Sequence, residues 1–220
     1  MFPPGSSGSR IDSTVKKGMT PARAILATNL ATLVAALIQG WGMIQLLFPF
    51  WGQSMIIGLY SLLRIRKAAG WDLRYPLFFL AHYGGFHGVY LILLIALTGS
   101  ADAQGMVPVN NGGSGESVQL YAGTYTPLDG VIYLALIIGF WLTHRASHTR
   151  YLETDLAGRP SAQKLMSVPY LRILPMHLTL IMGAFLGGPG TVIFFMMLKT
   201  GADLLMHRVE HRMLAGAPSS

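Results

Sequence analysis

The chain contains no cysteine. That absence excludes disulfides, thiolate metal centres, iron–sulfur clusters and c-type haem attachment. Charge is scarce as well. Only 11% of the 220 residues are Asp, Glu, Lys or Arg, against about a quarter in an ordinary soluble domain. Nucleophile elbow, Walker loop and paired catalytic carboxylates are all missing, so the common hydrolase and nucleotide-binding signatures have nothing to rest on. Three of the connections between apolar segments carry no Lys or Arg at all. The formal charge of +7 is therefore segregated along the chain. It does not form the basic stripe of a nucleic-acid binder.

What remains is apolar. Hydrophobic residues make up 52% of the chain and the mean hydropathy is +0.47. Residues 1–20 are polar and rich in Gly, Ser and Pro. They read as a mobile tail and not as a signal peptide, because the apolar stretch starts late and no cleavage site follows it. Six apolar segments follow, over Ala22–Gln39, Trp41–Leu63, Tyr75–Leu97, Val131–Thr143, Val168–Leu186 and Thr191–Met206. A spanning helix needs about 20 residues; the short fourth and sixth segments are expected to extend into their polar ends, towards His148 and His211. "QGWG" at 39–42 and "GGPG" at 187–190 read as tight hairpins. The 99–130 connection has no apolar period and reads as a loop.

Lys and Arg set the orientation. They occur in the tail, in the second connection (Arg64, Arg66, Lys67, Arg74), in the fourth (Arg145, Arg150, Arg159, Lys164) and at the C-terminus (Arg208, Arg212). The first, third and fifth connections have none. The expected fold class is all-α: an integral membrane bundle of six transmembrane helices over 21–212, with both termini cytoplasmic, a C-terminal tail over 213–220, and an inner-membrane location. The basic residues would then face anionic lipid.

Depth counting locates the polar residues. At about 1.5 Å per residue, His82, His177 and Asp203 each lie about 12 Å inside the cytoplasmic face, on three different helices. Ionisable residues at such depth are costly and mark functional sites. In "KTGADLLMHRVEH", Lys199, Asp203, His207 and His211 recur every four residues and share one helix face. Imidazole with carboxylate suits zinc, iron, manganese or copper. The candidate metal ligands are His82, His177, Asp203 and His207, supported by Lys199, Glu210, His211, Gln53 and Tyr83. In the competing interpretation Lys199 and Asp203 neutralise each other, and the histidines are helix–helix hydrogen-bond partners. His87 is the candidate cofactor residue, since it or His82 could face His177 across a haem; pigment binding rests on the same grounds. His82 and His87 lie about 140° apart on a regular helix and share a face only if Gly84 and Gly85 distort it. His144 and His148 form an i, i+4 pair at a cytoplasmic helix end.

"HYGGFHG" (82–88), "PYLRILPMHLTLIMGAFL" (169–186) and "MLKTGADLLMHRVEH" (197–211) resemble a bacterial membrane family catalogued only as a domain of unknown function. Its motifs read HYG-F, PYGRI…LH…GGF and KT-x-D-x-x-x-H-x-x-EH. The resemblance implies that His82, Tyr83, His177, Lys199, Asp203, His207, Glu210 and His211 are shared polar positions. The chain departs from the pattern at Gln53, where the family usually has an acid, at Leu171, usually Gly, and at Pro175. Three classes of function stay open: a metal site with hydrolytic or redox chemistry, a non-enzymatic accessory subunit of a larger respiratory, photosynthetic or other redox membrane complex or a homo-oligomer, and transport along a polar path. No nucleic-acid partner is expected; the lipid bilayer is.

Overall fold

The computed structural model describes residues 21–101, 104–110, 117–121, 123–153, 161–170 and 190–214. Helices α1 (Pro21–Gln39), α2 (Met43–Ala69) and α3 (Arg74–Gly99) lead into a two-stranded hairpin of β1 (Met106–Asn110) and β2 (Ser117–Tyr121). Then come α4 (Pro127–Glu153), α5 (helical over 162–170) and α6 (Gly190–Leu214). The tail 1–20 and most of the fifth apolar segment, His177 included, lie outside the described residues, as do the "GGP" of the expected second hairpin and residues 215–220.

The helices are inside-out by the standard of a soluble protein. Along α1 the buried stripe is Ile25, Asn29, Thr32 and Ala36, while Leu26, Leu30, Val34 and Ile38 face outward. Ile38, Val89, Ile92 and Met197 are each at least two-thirds exposed. Such a surface is stable only against hydrocarbon. Helices α1 (from Ala22), α2, α3 and α4 (over Pro127–Arg145) are long and apolar enough to cross a membrane. The chain is a helical, multi-pass membrane protein.

Local chemistry explains the joints. Helix α1 ends on Gly40 at φ 64°, and the Trp41 N–H donates to Ala36 O at 2.8 Å. This is the left-handed glycine cap with its six-to-one hydrogen bond, so the "QGWG" turn forms as expected. Helix α2 contains Pro49. Proline has no N–H, so the carbonyl one turn earlier loses its helical donor. That carbonyl, of Gln45, accepts the Tyr133 hydroxyl of α4 at 3.0 Å, which ties α4 to the gap. Helix α3 runs unbroken through Gly84 and Gly85.

Helix α2 packs mainly on α3 and α4, and α1 on α4 and α6. The principal core gathers Phe50, Phe140, Phe195, Leu94 and Tyr90 at the centre, with Trp41, Ile44 and Val107 towards the hairpin end. A second cluster at the other end joins Ile65, Phe79 and Tyr83 to Ala162 and Leu165 of α5. Trp41 Nε1 donates to Asp129 Oδ1 at 2.6 Å, and Gln45 Nε2 to Thr124 O at 2.8 Å. The α1–α2 turn and the segment entering α4 therefore sit together at one end. Asp129 also accepts from the Thr126 N–H and hydroxyl, a capping arrangement at the start of α4.

One sequence expectation is corrected. The 99–130 connection is not simply a loop: it holds an antiparallel pair with Met106 opposite Tyr121 and Asn110 opposite Ser117. Five-residue strands interrupted by Pro108 give no clean alternation, and Pro108 is tolerated because a two-stranded pair consists of edges. At its base Gly105 and Gly123, both at positive φ, meet so closely that a Cβ on Gly105 would stand 2.7 Å from the Gly123 carbonyl carbon. The expected extension of the short fourth and sixth segments into their polar ends is present: α4 runs to Glu153 and α6 to Leu214, and α2 likewise continues past Leu63 to Ala69.

Candidate functional site

Asp203 is the hub of a polar cluster where α1 meets α6. Lys199 lies one turn earlier on α6, and its Nζ is 2.5 Å from Asp203 Oδ2. The same oxygen accepts Asn29 Nδ2 of α1 at 3.1 Å, and that amide also donates to Thr200 Oγ1 at 3.2 Å. Only one orientation of the Asn29 amide suits this contact, since a carboxylate can only accept. Lys199 is buried, with Nζ 4.3 Å from the centroid of the Phe50 ring. A cation over an aromatic face gains where water is excluded. The cluster thus has a positive centre, a negative centre and an amide bridge, and it joins residues of three helices.

The burial follows from sequence. On α6, Val192, Phe195, Met196, Lys199 and Met206 are buried, and Ile193, Phe194, Met197 and Leu205 are outward. The inward stripe keeps helical spacing, so it carries Lys199 and Asp203 with it. The arrangement bears out mutual neutralisation of that pair.

His82 and His87 face different ways on the continuous helix α3, as their spacing requires. His82 is exposed. Its ring meets Phe78 at 5.5 Å and Tyr170 of α5 at 5.4 Å. His87 is buried with Nδ1 2.9 Å from Tyr83 O, and its ring stacks on Tyr83 at 4.1 Å. Tyr83 is buried too, and its hydroxyl donates to Ser54 O on α2 at 2.7 Å. Trp51 Nε1 donates to His87 O at 3.0 Å. These residues lock α3 onto α2. Gln53 is buried on α2, and His207 is half-buried on α6. Glu210 and His211 fall on the last turns of α6, with side chains outside the described set. Among the described residues no three His, Asp or Glu side chains come close enough to hold a metal ion. His82, Asp203 and His207, three of the four candidate ligands, are therefore not gathered; His177 lies outside the described residues.

A second polar group lies at the basic end, beyond the α4 span. Arg64 Nε donates to His148 Nδ1 at 3.4 Å, and the His148 ring stands 5.0 Å from Tyr60. Burial lowers the His148 pKa, and the positive charges of Arg64 and Lys67 lower it further. The imidazole is held neutral. Arg145 stands 5.2 Å over the Trp141 ring.

Asn29, Thr200 and Phe50 escaped the sequence reading. An asparagine inside an apolar span is itself a signal, because lipid offers its amide no partner. Phe50 carried no such signal.

The chain belongs to a family of unknown function, DUF6498, which matches it over residues 14–220. No curated protein and no solved structure matches it. Family membership assigns no chemistry.

Proposed function

We propose that the protein crosses the inner membrane six times with both termini in the cytoplasm, and serves as a non-enzymatic subunit of a larger membrane assembly. Its intramembrane charges fix helix register. One observation carries this reading. The Asp203 carboxylate is engaged by Lys199 and Asn29, so it joins α1 to α6 where a metal ligand would have to face an ion. The Tyr83–Ser54 and Trp51–His87 bonds do the same between α2 and α3. Polar groups within a membrane bundle act as such interhelical ties.

Charge distribution supports the topology. Arg64 meets His148, and α5 packs on Ile65 and Phe79. The second and fourth connections, rich in Lys and Arg, thus share one end of the bundle. The first and third, which lack both, share the other through Trp41–Asp129 and Gln45–Thr124. Segregation of this kind is what the positive-inside rule demands.

The absence of cysteine makes the topology testable without background. A single Ser114→Cys change should react with impermeant maleimide in intact spheroplasts, and Ser9→Cys should react only after permeabilisation. Function is tested by elemental analysis and an absorption spectrum of the purified chain, alongside its size in mild detergent. A stoichiometric complex without metal or chromophore is expected. One transition metal per chain, lost in His177→Ala, would overturn the subunit reading and restore the metal site.

A further inference from the structure

Helices α2 and α3 meet at a turn that puts one large apolar ring in the open. Trp71 is 96% exposed, more than any other large hydrophobic residue among those described. The backbone beneath it is fixed. Asp72 N–H donates to Ala69 O at 3.0 Å, and Gly70 between them stands at φ 59° and ψ −116°. This is a type II′ turn, whose first central position calls for glycine and whose second is Trp71. The Asp72 carboxylate holds the far side, accepting from the Arg74 N–H at 3.0 Å and from its guanidinium at 2.8 and 3.0 Å. Arg66 donates to the Gly70 carbonyl, which sets a cation at the base of the indole. Lys67 comes next and is exposed. We infer that this turn is a docking site for anionic phospholipid: Trp71 beds at the boundary of headgroups and acyl chains, and Arg66 and Lys67 hold the headgroup phosphates beside it.

Continuity identifies the occupant. Leu73, Leu77 and Phe78 are exposed as well and carry the apolar surface from the turn onto α3. That helix is long and apolar enough to cross a membrane, so hydrocarbon covers the far end of the strip. A single exposed apolar side chain is ordinary on a protein surface. Trp71 instead heads a strip that already faces lipid.

Depth and charge narrow the class. Leu63 is the last exposed leucine of α2 and Leu77 the first of α3. At about 1.5 Å per residue the turn stands roughly 5–9 Å beyond them, which matches a headgroup layer about 5–8 Å deep. Tryptophan concentrates in that layer because its ring is apolar and its N–H is a donor. Indole, guanidinium and ammonium only donate, and phosphate and ester oxygens accept. Residues 64–74 hold four cations against one carboxylate, and that carboxylate, Asp72, is paired with Arg74. The excess positive charge favours an anionic headgroup over a zwitterionic one. Docking here requires only that α2 and α3 cross a membrane, and stands apart from any role as a subunit.

The test uses the purified full chain in mild detergent with two probes, dioleoylphosphatidylglycerol and dioleoylphosphatidylcholine. Native mass spectrometry should show the phosphatidylglycerol retained preferentially. Arg66→Gln and Lys67→Gln should each weaken its binding about fivefold and leave phosphatidylcholine unchanged. Trp71→Ser should weaken both lipids. All three side chains are exposed, so helicity and melting should stay as in the parent. The place of the ring is read separately, by fluorine NMR of the fluorotryptophan-labelled chain in nanodiscs of the same lipids. The signal lost in Trp71→Phe belongs to residue 71, and it should broaden more with headgroup-spin-labelled lipid than with a soluble gadolinium chelate. The reverse order would overturn the inference, leaving Trp71 in water. So would protection from both agents, which would mean that a protein surface covers the turn, or phosphatidylglycerol binding that survives both charge variants unchanged.

Discussion

Replacing Lys199 by Met keeps the length of the side chain and removes its charge. Asp203 would then stay within the bundle with the Asn29 amide still donating to it. Its side chain is 18% exposed and that of Lys199 8%, so neither charge is well hydrated. Removing one partner of a buried ion pair costs about 3–5 kcal/mol. The surviving Asn29 bond places Lys199→Met at the lower end, about 3 kcal/mol by the same scale. Asp203→Leu strands the ammonium over Phe50 and should cost a similar amount. In the double variant no charge is left, and the main loss is the Asn29 bond, about 1 kcal/mol. These figures put the coupling at about 5 kcal/mol, beyond the roughly 0.5–3 kcal/mol usual for touching residues. Equilibrium unfolding in mixed micelles measures all four corners. Simple additivity would refute the argument, because two groups that lock register by neutralising each other cannot have independent effects.

Two further outcomes follow from particular contacts. A Cβ on Gly58 would press into the Tyr83 ring, so Gly58→Ala should destabilise by about 1–3 kcal/mol through overpacking; Gly85→Ala, with open space around it, should lower the melting temperature not at all. His148 is depressed by burial and by Arg64 and Lys67, so the unfolded chain binds more protons than the folded one below about pH 6.5. The stability it contributes is full above that value and is lost as pH falls through the folded pKa. Melting against pH should show the decline, NMR of the imidazole should titrate below the ordinary histidine range, and His148→Gln should flatten the profile.

Much of this fold was legible in the chain because membrane insertion is governed by composition. A run of apolar residues must become a helix in lipid, since no other single-segment structure satisfies its backbone. Ala22–Gln39 therefore became α1 almost residue for residue, and Gly40 marked its end. The i, i+4 spacing of Lys199 and Asp203 was enough to pair them, and the five-residue interval between His82 and His87 was enough to separate them. The hairpin was less legible. Its strands are short, one contains proline, and strand pairing is a non-local contact that no period announces. Depth counting had a different weakness. It placed His82 and Asp203 at one level, but level says nothing about rotation, and α3 turns His82 outward.

By itself, then, the sequence determined that this is a helical membrane protein, where α1 ends, which end of the bundle is basic, and which intrahelical charges pair. These follow from hydrophobicity, helix period and glycine conformation, all properties of neighbours in the chain. Only the tertiary structure decided that Asn29 bridges to Asp203, that Tyr133 satisfies the carbonyl freed by Pro49, and that His82 is exposed on α3 while His87 is buried against Tyr83. Those outcomes depend on how helices rotate and pack against one another. That choice is made by side chains from distant segments meeting in space, and no local pattern encodes it.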